Sequence, residues 1–387
     1  MKAIVNGRIL LPEAEIRGKA LLYSDKIIGI VDEETARAQA DEMIDAQGRY
    51  VSPGLVDVHI HGYLGADTSD AEPDGVRKMA RGILENGVTS FLPTTMTVAW
   101  ENITAVFEML RALRRESLTD DFIGAEILGC HAEGPFINPS KKGAQAESCI
   151  LPPDAEKIIP YADIVKVITF APEMPGGEAF IRAMRERTNV RLSIGHTGAN
   201  YDQAMNAIHQ GVTRATHTFN AMTPMMHRDP GVVGAALTTD VYCELIADTF
   251  HVNKGIFPLM AKVKGDKLVL ITDCLRACGM PDGEYTLGGQ KFILKGIECR
   301  LEDGTIAGSV LRLNHAVRNL RDYACVPMHQ AVRAASLSAA ESAGVADRKG
   351  SLEAGKDADL VITDGSPFEV STTVRRVLIG GKTVHAV

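Results

Sequence analysis

Pro53-Gly54-Leu55-Val56-Asp57-Val58-His59-Ile60-His61-Gly62 begins with a Pro-Gly pair and continues as a short apolar segment that ends in His-x-His. Side chains alternate between the two faces of a β-strand, so His59 and His61 are expected to point the same way. Two imidazoles on one face at a strand end can hold a divalent metal, since neutral imidazole is the commonest metal ligand. The pair is also compatible with two partly exposed histidines beside a turn. Residues elsewhere in the chain are needed to distinguish a metal site from this alternative.

Downstream of residue 55, short apolar segments alternate with amphipathic ones, which is typical of βα units around a parallel sheet. Their number favours an α/β fold with a TIM-like (β/α)8 barrel. An open doubly wound sheet is the alternative, although no G-x-G-x-x-G follows an early strand. The predicted strands are 55–61, 90–95, 127–131, 164–170, 191–196, 214–218, 242–247 and 268–272; the predicted helices include 75–85, 100–115, 178–187, 201–210, 254–263 and 328–342; and a Gly-rich hairpin insert is predicted at 283–301.

Both ends of the chain are predicted to form short strands. Domain termini often lie close together, so the two ends are expected to pair in one small β-sandwich domain. We therefore predict a small β domain from residues 1–53 and 355–387, and a catalytic barrel from residues 54–354. The strands concerned are 3–5, 20–23 and 26–31 near the start, and 358–363, 374–379 and 383–387 in the tail.

The composition narrows the class of protein. The 387 residues are 45% hydrophobic and 23% charged, which provides ample material for a core. The net charge of -8 argues against nucleic acid or an anionic membrane as a partner. No apolar run approaches the ~18 residues of a membrane span, and the first residues lack the apolar core of a signal peptide. Seven scattered cysteines without a C-x-x-C pair predict a reduced, cytoplasmic compartment.

Acids and imidazoles recur at the carboxyl ends of the predicted strands, where enzymes on this barrel place their catalytic groups. Eleven histidines scattered at random would seldom meet so many strand ends. Imidazole and carboxylate ligands suit a hard-to-borderline divalent ion, so a metal site is predicted at this end of the barrel. The residues are His59 and His61 at the end of the first strand, Glu133 after the third, His196 and His217 at the ends of the fifth and sixth, and Asp273 after the eighth.

Two other polar residues have two interpretations each, and two further positions are candidates for substrate contact. His131 shares a face with Glu133 and is either a ligand or, as we favour, a core histidine. Lys166 lies within the fourth strand, where a modified lysine can bridge metals, but Glu133 already supplies a carboxylate and a structural role is favoured. His251, past the seventh strand, is a candidate for substrate contact. The polar loop 227–230 contains a cation that suits phosphate recognition at a barrel mouth.

These motifs together resemble a known family. Residues 53–62 and the segment Gly350-Ser351-Leu352-Glu353-Ala354-Gly355-Lys356-Asp357-Ala358-Asp359-Leu360-Val361 are similar to the amidohydrolase superfamily. More narrowly, the chain resembles the N-acetylglucosamine-6-phosphate deacetylase family, and the likeness runs over essentially its whole length. The motifs that carry this narrower resemblance are His131-Ala132-Glu133-Gly134-Pro135-Phe136, Gly195-His196-Thr197, His217-Thr218-Phe219-Asn220-Ala221-Met222, Thr272-Asp273 with the following residues to Gly283, and Ala307-Gly308-Ser309.

The resemblance implies a divalent metal cofactor, zinc or iron, with one or two ions per subunit. It implies that Glu133, His196 and His217 hold the principal metal. Some relatives lack the His-x-His pair and work with one metal. Here both histidines are present, so a second metal bound by His59, His61 and Glu133 is expected.

By the same likeness, the activity is metal-dependent hydrolysis of N-acetyl-D-glucosamine 6-phosphate to D-glucosamine 6-phosphate and acetate, and Asp273 is the catalytic acid/base. A divalent metal lowers the pKa of a bound water to ~7 and polarises the carbonyl. We expect Asp273 to take a proton from this water as it attacks the acetamide carbonyl. The same carboxylate then returns the proton to the amine.

The resemblance also implies how the sugar phosphate is held. Arg228 would meet the phosphate, and in this family that residue can come from a neighbouring subunit, which suggests a homodimer. Gln145 stands where other members carry His, and its amide can still donate a hydrogen bond. The remaining implied contacts are Ala144, Asn220, Ala221, Asp248, His251, Ile306, Ala307 and Gly308.

Three alternatives stay open. N-acetylgalactosamine 6-phosphate differs from the favoured substrate in the orientation of one hydroxyl, and no residue identified in the sequence fixes that contact. A cyclic-imide hydrolase or a nucleobase deaminase is disfavoured because Glu133 stands where many relatives use a lysine on the fourth strand. A non-catalytic scaffold would typically have lost ligands or the acid, whereas Glu133, His196, His217 and Asp273 are all present.

Overall fold

Eight parallel strands form the centre of the computed structural model, which describes residues 1–364 and 374–387. Each strand pairs with the next in parallel register. The sheet closes where the N–H of Asp273 donates to the carbonyl of His59 at 2.8 Å and the N–H of His61 donates to that of Cys274 at 3.0 Å. The predicted (β/α)8 barrel is therefore confirmed. In order, its strands are Leu55–Ile60, Val88–Thr95, Cys130–Glu133, Val165–Phe170, Arg191–Ile194, Arg214–Ala215, Tyr242–Ile246 and Leu268–Ile271, with the short Glu126–Ile127 beside the second.

Amphipathic helices cover the outside of the barrel. In Trp100–Glu116 the buried residues Ile103, Val106, Phe107 and Leu110 recur at three- and four-residue spacing and form one apolar face. The helices are Pro73–Gly82, Trp100–Glu116, Ala155–Ile158, Gly177–Arg187, Tyr201–Gln210, Gly231–Leu237, Phe257–Lys264, Leu313–Ala324, Met328–Ala334 and Leu337–Ala343, and Glu33–Gln39 lies outside the barrel.

Local chemistry explains where the predicted helices agree with the structure and where they differ. Tyr201–Gln210 has the predicted bounds because a capping box at Asn200 starts it and Gly211, with φ 115°, ends it. The helix Gly231–Leu237 was not predicted. All seven of its residues are buried, so its sequence does not show the alternation of apolar and polar positions that marks an amphipathic helix. The predicted helix at 328–342 is in fact two helices, with a break between Ala334 and Leu337.

Two antiparallel-rich sheets lie beside the barrel and confirm the small β-sandwich. The strand Tyr50–Pro53 pairs with Leu360–Thr363, so the two ends of the chain meet in one sheet. Residues 365–373 of the predicted segment 355–387 lie outside the described residues, and the domain boundaries stay a prediction. One sheet contains Lys2–Val5, Lys19–Tyr23, Ile27–Asp32 and Glu42–Asp45, and the other contains Arg8–Leu10, Glu15–Ile16, Tyr50–Pro53, Leu360–Thr363, Val374–Ile379 and Lys382–Ala386.

An insert after the eighth barrel strand folds as a three-stranded antiparallel sheet, one strand more than the predicted hairpin. Its strands are Gly283–Leu287, Gln290–Lys295 and Glu298–Leu301. Phe292 packs with Leu275 near the barrel mouth, which places the insert over the carboxyl ends of the strands. A second small ribbon, Gly62–Tyr63 with Ala66–Asp67, follows the first barrel strand. Within the described part of the chain, no helix has the length and the apolar character needed to cross a bilayer.

Candidate metal centre

Four imidazoles from the strand ends converge on the carboxylate of Glu133. Its Oε1 atom lies 3.1 Å from Nε2 of His217, 3.2 Å from Nε2 of His196 and 3.4 Å from Nε2 of His59. Its Oε2 atom lies 3.4 Å from Nε2 of His61. All five side chains are buried. The structure thus brings the predicted ligands together in two groups that share Glu133.

Three of the four imidazoles are held through their Nδ1 atoms. A proton on Nδ1 leaves Nε2 without hydrogen and able to bind a cation. All four Nε2 atoms face the carboxylate of Glu133, so this donor set fits a divalent ion. Nδ1 of His59 donates to Oε2 of Glu244 at 3.0 Å. Nδ1 of His61 donates to the carbonyl of Thr94 at 3.3 Å, and Nδ1 of His196 donates to the carbonyl of Lys141 at 2.8 Å.

The electrostatics of the cluster favour positive charge at its centre. Burial lowers the pKa of His61, but hydrogen bonds to Asp273 and Glu133 outweigh burial and raise that pKa to about 9, so a divalent ion would have to displace the proton that Nε2 of this ring otherwise carries. Burial raises the pKa of Glu133, yet the charges of His196 and His59 hold it well below the usual value. The shared carboxylate is therefore ionised, and its charge would stabilise a bound cation.

Asp273 lies beside the same cluster. Its Oδ1 atom is 3.2 Å from Nε2 of His61 and 3.5 Å from Nε2 of His59. The backbone of Asp273 has φ 50°, and His196 and His217 have φ 48° and 30°. Non-glycine residues adopt this left-handed conformation at a cost, and they keep it only where the surrounding structure holds them. The turns after three barrel strands are thus fixed in the geometry that aims these side chains inward.

A buried ion pair beneath the cluster was missed by the sequence analysis. Glu244, in the seventh strand, accepts hydrogen bonds from Nδ1 of His59 and from the backbone N–H of His217, both at 3.0 Å. The fully buried Arg214 pairs with the other oxygen of Glu244 and also donates to the hydroxyl of Ser342. The available signal was the charged Glu244 within the otherwise uncharged strand Tyr242–Ile246 and Arg214 at the start of the preceding strand.

His131 and Lys166 lie in surroundings that suit the structural roles favoured for them. The Nδ1 atom of His131 is 3.0 Å from the carbonyl of Val58, and its Nε2 atom is 2.7 Å from the hydroxyl of Thr169. Burial lowers the pKa of His131 to about 3, so the ring is neutral and both nitrogens are engaged. The pKa of Lys166 is lowered by burial and by the charge of Arg114.

A cavity of about 340 Å³ opens over the cluster. This is a usual size for a small-molecule site. Lys141 and Thr305 also line it and were not predicted, although Lys141 lies three residues before Ala144 and Thr305 precedes Ile306. The predicted residues that line the cavity are His61, Glu133, His196, His217, Asp273, Ala144, Gln145, Asn220, Ala221, His251, Ile306 and Gly308.

Four predicted site residues do not line this cavity. His59 is fully buried beneath it. Asp248 accepts a hydrogen bond from Nδ1 of His251 at 2.6 Å and thereby orients that ring. Ala307 is fully buried in the apolar cluster of the insert. Arg228 lies on an exposed loop.

Comparisons with known proteins agree with these motifs. Residues 50–384 match the amidohydrolase family. The N-acetylglucosamine-6-phosphate deacetylase of Bacillus subtilis (strain 168) is 40% identical over 330 residues, which are 84% of this chain and 83% of that protein. An N-acetylgalactosamine-6-phosphate deacetylase of Escherichia coli O157:H7 is 33% identical over 368 residues, 92% of this chain and 93% of the other. The crystal structure of the N-acetylglucosamine-6-phosphate deacetylase from Pasteurella multocida is 30% identical and has a TM-score of 0.92 over 100% of both chains. The predicted resemblance is confirmed.

Proposed function

Because this chain belongs to the amidohydrolase family, we propose that it hydrolyses N-acetyl-D-glucosamine 6-phosphate to D-glucosamine 6-phosphate and acetate. The observation that carries the proposal is the convergence of four buried imidazoles on Glu133 at a cavity that also contains Asp273. A divalent ion in this donor set supplies the activation of water and the polarisation of the carbonyl that amide hydrolysis needs. Relatives that align along most of the chain are deacetylases of two N-acetylhexosamine 6-phosphates.

Asp273 is the acid/base of the proposed reaction. Burial raises its pKa, but the charges of His59 and His61 lower that pKa below the usual value, so the carboxylate is ionised. It can therefore accept the proton that water loses as the new C–O bond forms at the acetamide carbonyl. The proton then passes from Asp273 to the nitrogen as the C–N bond breaks, which releases the amine and acetate. One carboxylate thus serves both halves of the reaction.

The proposed cofactor is one or two divalent ions in each subunit, and we favour two. Glu133, His196 and His217 hold the first, and His59, His61 and Glu133 hold the second. Both groups are supported by ligand atoms that lie within 4.8 Å of one another. Zinc and iron suit a set of imidazole and carboxylate ligands, since both accept nitrogen and oxygen donors.

The sugar phosphate is proposed to contact two basic residues, with Arg228 at the phosphate. His251 lines the cavity and is oriented by Asp248. Arg228 is exposed and lies outside the cavity of its own chain, so we place it in the site of a neighbouring subunit in a homodimer. The sugar is proposed to contact residues that line the cavity walls: Ala144, Asn220, Ala221, Ile306 and Gly308.

The proposed compartment is the cytoplasm. All seven cysteines are free thiols in the structure, and five of them are buried. Disulfides are rare in reducing compartments, so this pattern supports the proposal.

A second candidate substrate is N-acetylgalactosamine 6-phosphate. The 33% identity with the Escherichia coli O157:H7 deacetylase of that sugar favours it. The two sugars differ only in the orientation of one hydroxyl, so both fit the same chemistry. The higher identity with the Bacillus subtilis relative makes the glucosamine derivative our first choice.

Acetate release from both sugar phosphates tests the proposal. The purified chain is loaded with zinc or iron(II), assayed, stripped with a chelator and reconstituted. We expect faster release from N-acetylglucosamine 6-phosphate, loss of release after chelation and its return with metal. Faster release from the galactosamine derivative would favour the second candidate. No release from either sugar after reconstitution would contradict the proposed function.

A further inference from the structure

We propose that Gln145 is a positioning residue that locks the shared carboxylate of Glu133 in the orientation that both ligand groups require. The side-chain amide of Gln145 donates from Nε2 to Oε2 of Glu133 at 2.5 Å. Gln145 is only 3% exposed and lies in the loop that crosses the cavity wall. The inference rests on the metal centre of the proposed function and extends it to a residue outside both ligand groups.

The direction of this hydrogen bond is fixed by a second one. The backbone N–H of Thr97 donates to Oε1 of Gln145 at 2.6 Å. A backbone N–H can only donate, so the amide oxygen must face Thr97 and the amide nitrogen must face Glu133. The amide therefore offers a hydrogen to the carboxylate and cannot flip without losing both bonds.

The orientation of the Glu133 carboxylate matters because its two oxygens face different imidazoles. Oε1 lies within 3.4 Å of Nε2 atoms of His59, His196 and His217, whereas Oε2 faces His61. The terminal torsion of a glutamate is broad and has no sharp staggered preference, so sterics alone do not set the carboxylate plane. A donor fixed at Oε2 keeps Oε1 at the point where the two groups meet.

The loop that carries Gln145 is itself anchored, which makes the lock rigid. The backbone N–H of Gln145 donates to the carbonyl of Lys142 at 3.0 Å. The side chain of Gln290, in the insert over the barrel mouth, donates to the carbonyl of Ala144 at 2.7 Å. Gln145 is therefore held from its own loop, from Thr97 and from Glu133 together.

Cobalt(II) titration of the metal-stripped protein tests this role without any need for turnover. Gln145→Leu removes both ends of the amide at similar size. Gln145→Glu keeps an acceptor for Thr97 but sets a second carboxylate against Glu133. Gln330→Leu is the matched control, because it makes the same change at an exposed helix position outside the cavity. Competition with a chelating dye gives the affinities, and the visible absorption of bound cobalt reports the geometry of its ligands.

We expect both Gln145 variants to bind cobalt(II) about 10–100-fold more weakly, with altered absorption, as for other residues that orient metal ligands. Gln330→Leu should match the wild type. Thermal unfolding of the metal-stripped variants checks that they are folded. If cobalt affinity and absorption are unchanged while KM for the sugar phosphate rises, Gln145 contacts substrate and the inference is wrong. If the wild type binds cobalt as expected but releases no acetate from either sugar, the proposed function fails while the positioning role stands.

Discussion

The Nδ1 atom of His59 donates a hydrogen bond of 3.0 Å to Oε2 of Glu244, and both side chains are buried. The same oxygen accepts the backbone N–H of His217 at 3.0 Å. One carboxylate in the seventh strand therefore holds a residue from each of the two ligand groups. Arg214 pairs with the other oxygen of Glu244 and balances its charge. The candidate metal centre is thus supported by an ion pair whose two residues do not line the cavity.

Replacing Glu244 by Gln should weaken metal binding and lower stability together. His59 would lose its charged acceptor, so we expect affinity for the ion that it holds to fall about 10–100-fold. Arg214 would be left buried without its partner charge, which lowers the free energy of unfolding by about 3–5 kcal/mol. Metal titration and urea unfolding measure the two effects.

The double variant Arg214→Met with Glu244→Leu separates these two effects. An apolar pair in place of a buried ion pair is often neutral or stabilising, so much of the stability should return. Metal affinity should stay low, because His59 still lacks its acceptor. A double variant that binds metal like the wild type would contradict the role assigned to Glu244.

The proposed second metal can be tested by counting bound ions directly. Replacing both His59 and His61 by Asn should lower the stoichiometry from two ions per chain to one, because Glu133, His196 and His217 form the other group unaided. Elemental analysis after dialysis gives the count. His209→Asn, which removes an exposed histidine from a helix, is the control and should keep two ions. Unchanged stoichiometry in the double variant would mean that the pair holds no metal.

Asp273→Asn should separate catalysis from metal binding. The amide keeps the size of the side chain but cannot accept a proton, so kcat for acetate release should fall about 10²–10⁴-fold. The metal content should stay that of the wild type, because Asp273 belongs to neither ligand group. Activity within a few-fold of the wild type would exclude Asp273 as the acid/base.

The barrel and most of the cluster were predictable because the signals are local. Apolar segments of strand length gave all eight barrel strands, and the chemical residues follow those strands directly in the chain. The carboxyl ends of parallel strands meet at one rim, so residues such as Glu133 and His217 had to lie near one another. The capped helix Tyr201–Gln210 was equally local.

The features that could not be predicted from the sequence depend on the direction in which side chains point. Glu244 and Arg214 lie inside strands, and nothing local shows that they pair beneath the cluster. Asp248 lies near the cavity but bonds to His251, and Ala307 packs into the insert. The amide of Gln145 bonds to Glu133 across twelve residues, and this bond depends on how the loop crosses the barrel mouth. Such contacts follow from tertiary packing, which residue spacing does not encode.

Subunit mixing can test whether Arg228 acts in the neighbouring site. Arg228→Ala and Asp273→Asn are each expected to be nearly inactive at low substrate concentration. In a homodimer with shared sites, a heterodimer of the two variants contains one site with both residues intact. Random mixing at equal amounts should then restore about a quarter of wild-type activity. If activity does not rise on mixing after subunit exchange is verified, Arg228 acts within its own chain or not at all.

Lys349 provides a test of how the barrel is joined to the small β domain. It is 2% exposed and pairs with Glu126 at 2.7 Å, with Asp357 at 2.9 Å and with Asp359 at 2.6 Å. Lys349→Met would leave the buried Asp359 without its cation, while Glu126 and Asp357 keep their pairs with Arg348, so we expect the free energy of unfolding to fall by about 3–5 kcal/mol at pH 7. Lys382→Met is the control, since its exposed pair with Asp120 contributes about 0–1 kcal/mol.

The loss in Lys349→Met should shrink in acid. Burial raises the pKa of Asp357, but Lys349 and Lys26 outweigh burial and lower that pKa to about 2. A carboxyl whose pKa is lower in the folded state stabilises the protein above its unfolded pKa near 4, and this contribution is lost as the pH falls toward 2. The wild type should therefore lose stability as the pH falls from 5 to 3, while the variant, in which Asp357 keeps only Lys26 and Arg348, should lose less. Urea unfolding at pH 7, 5 and 3 measures the difference between the two proteins, and a difference that is constant with pH would exclude this coupling.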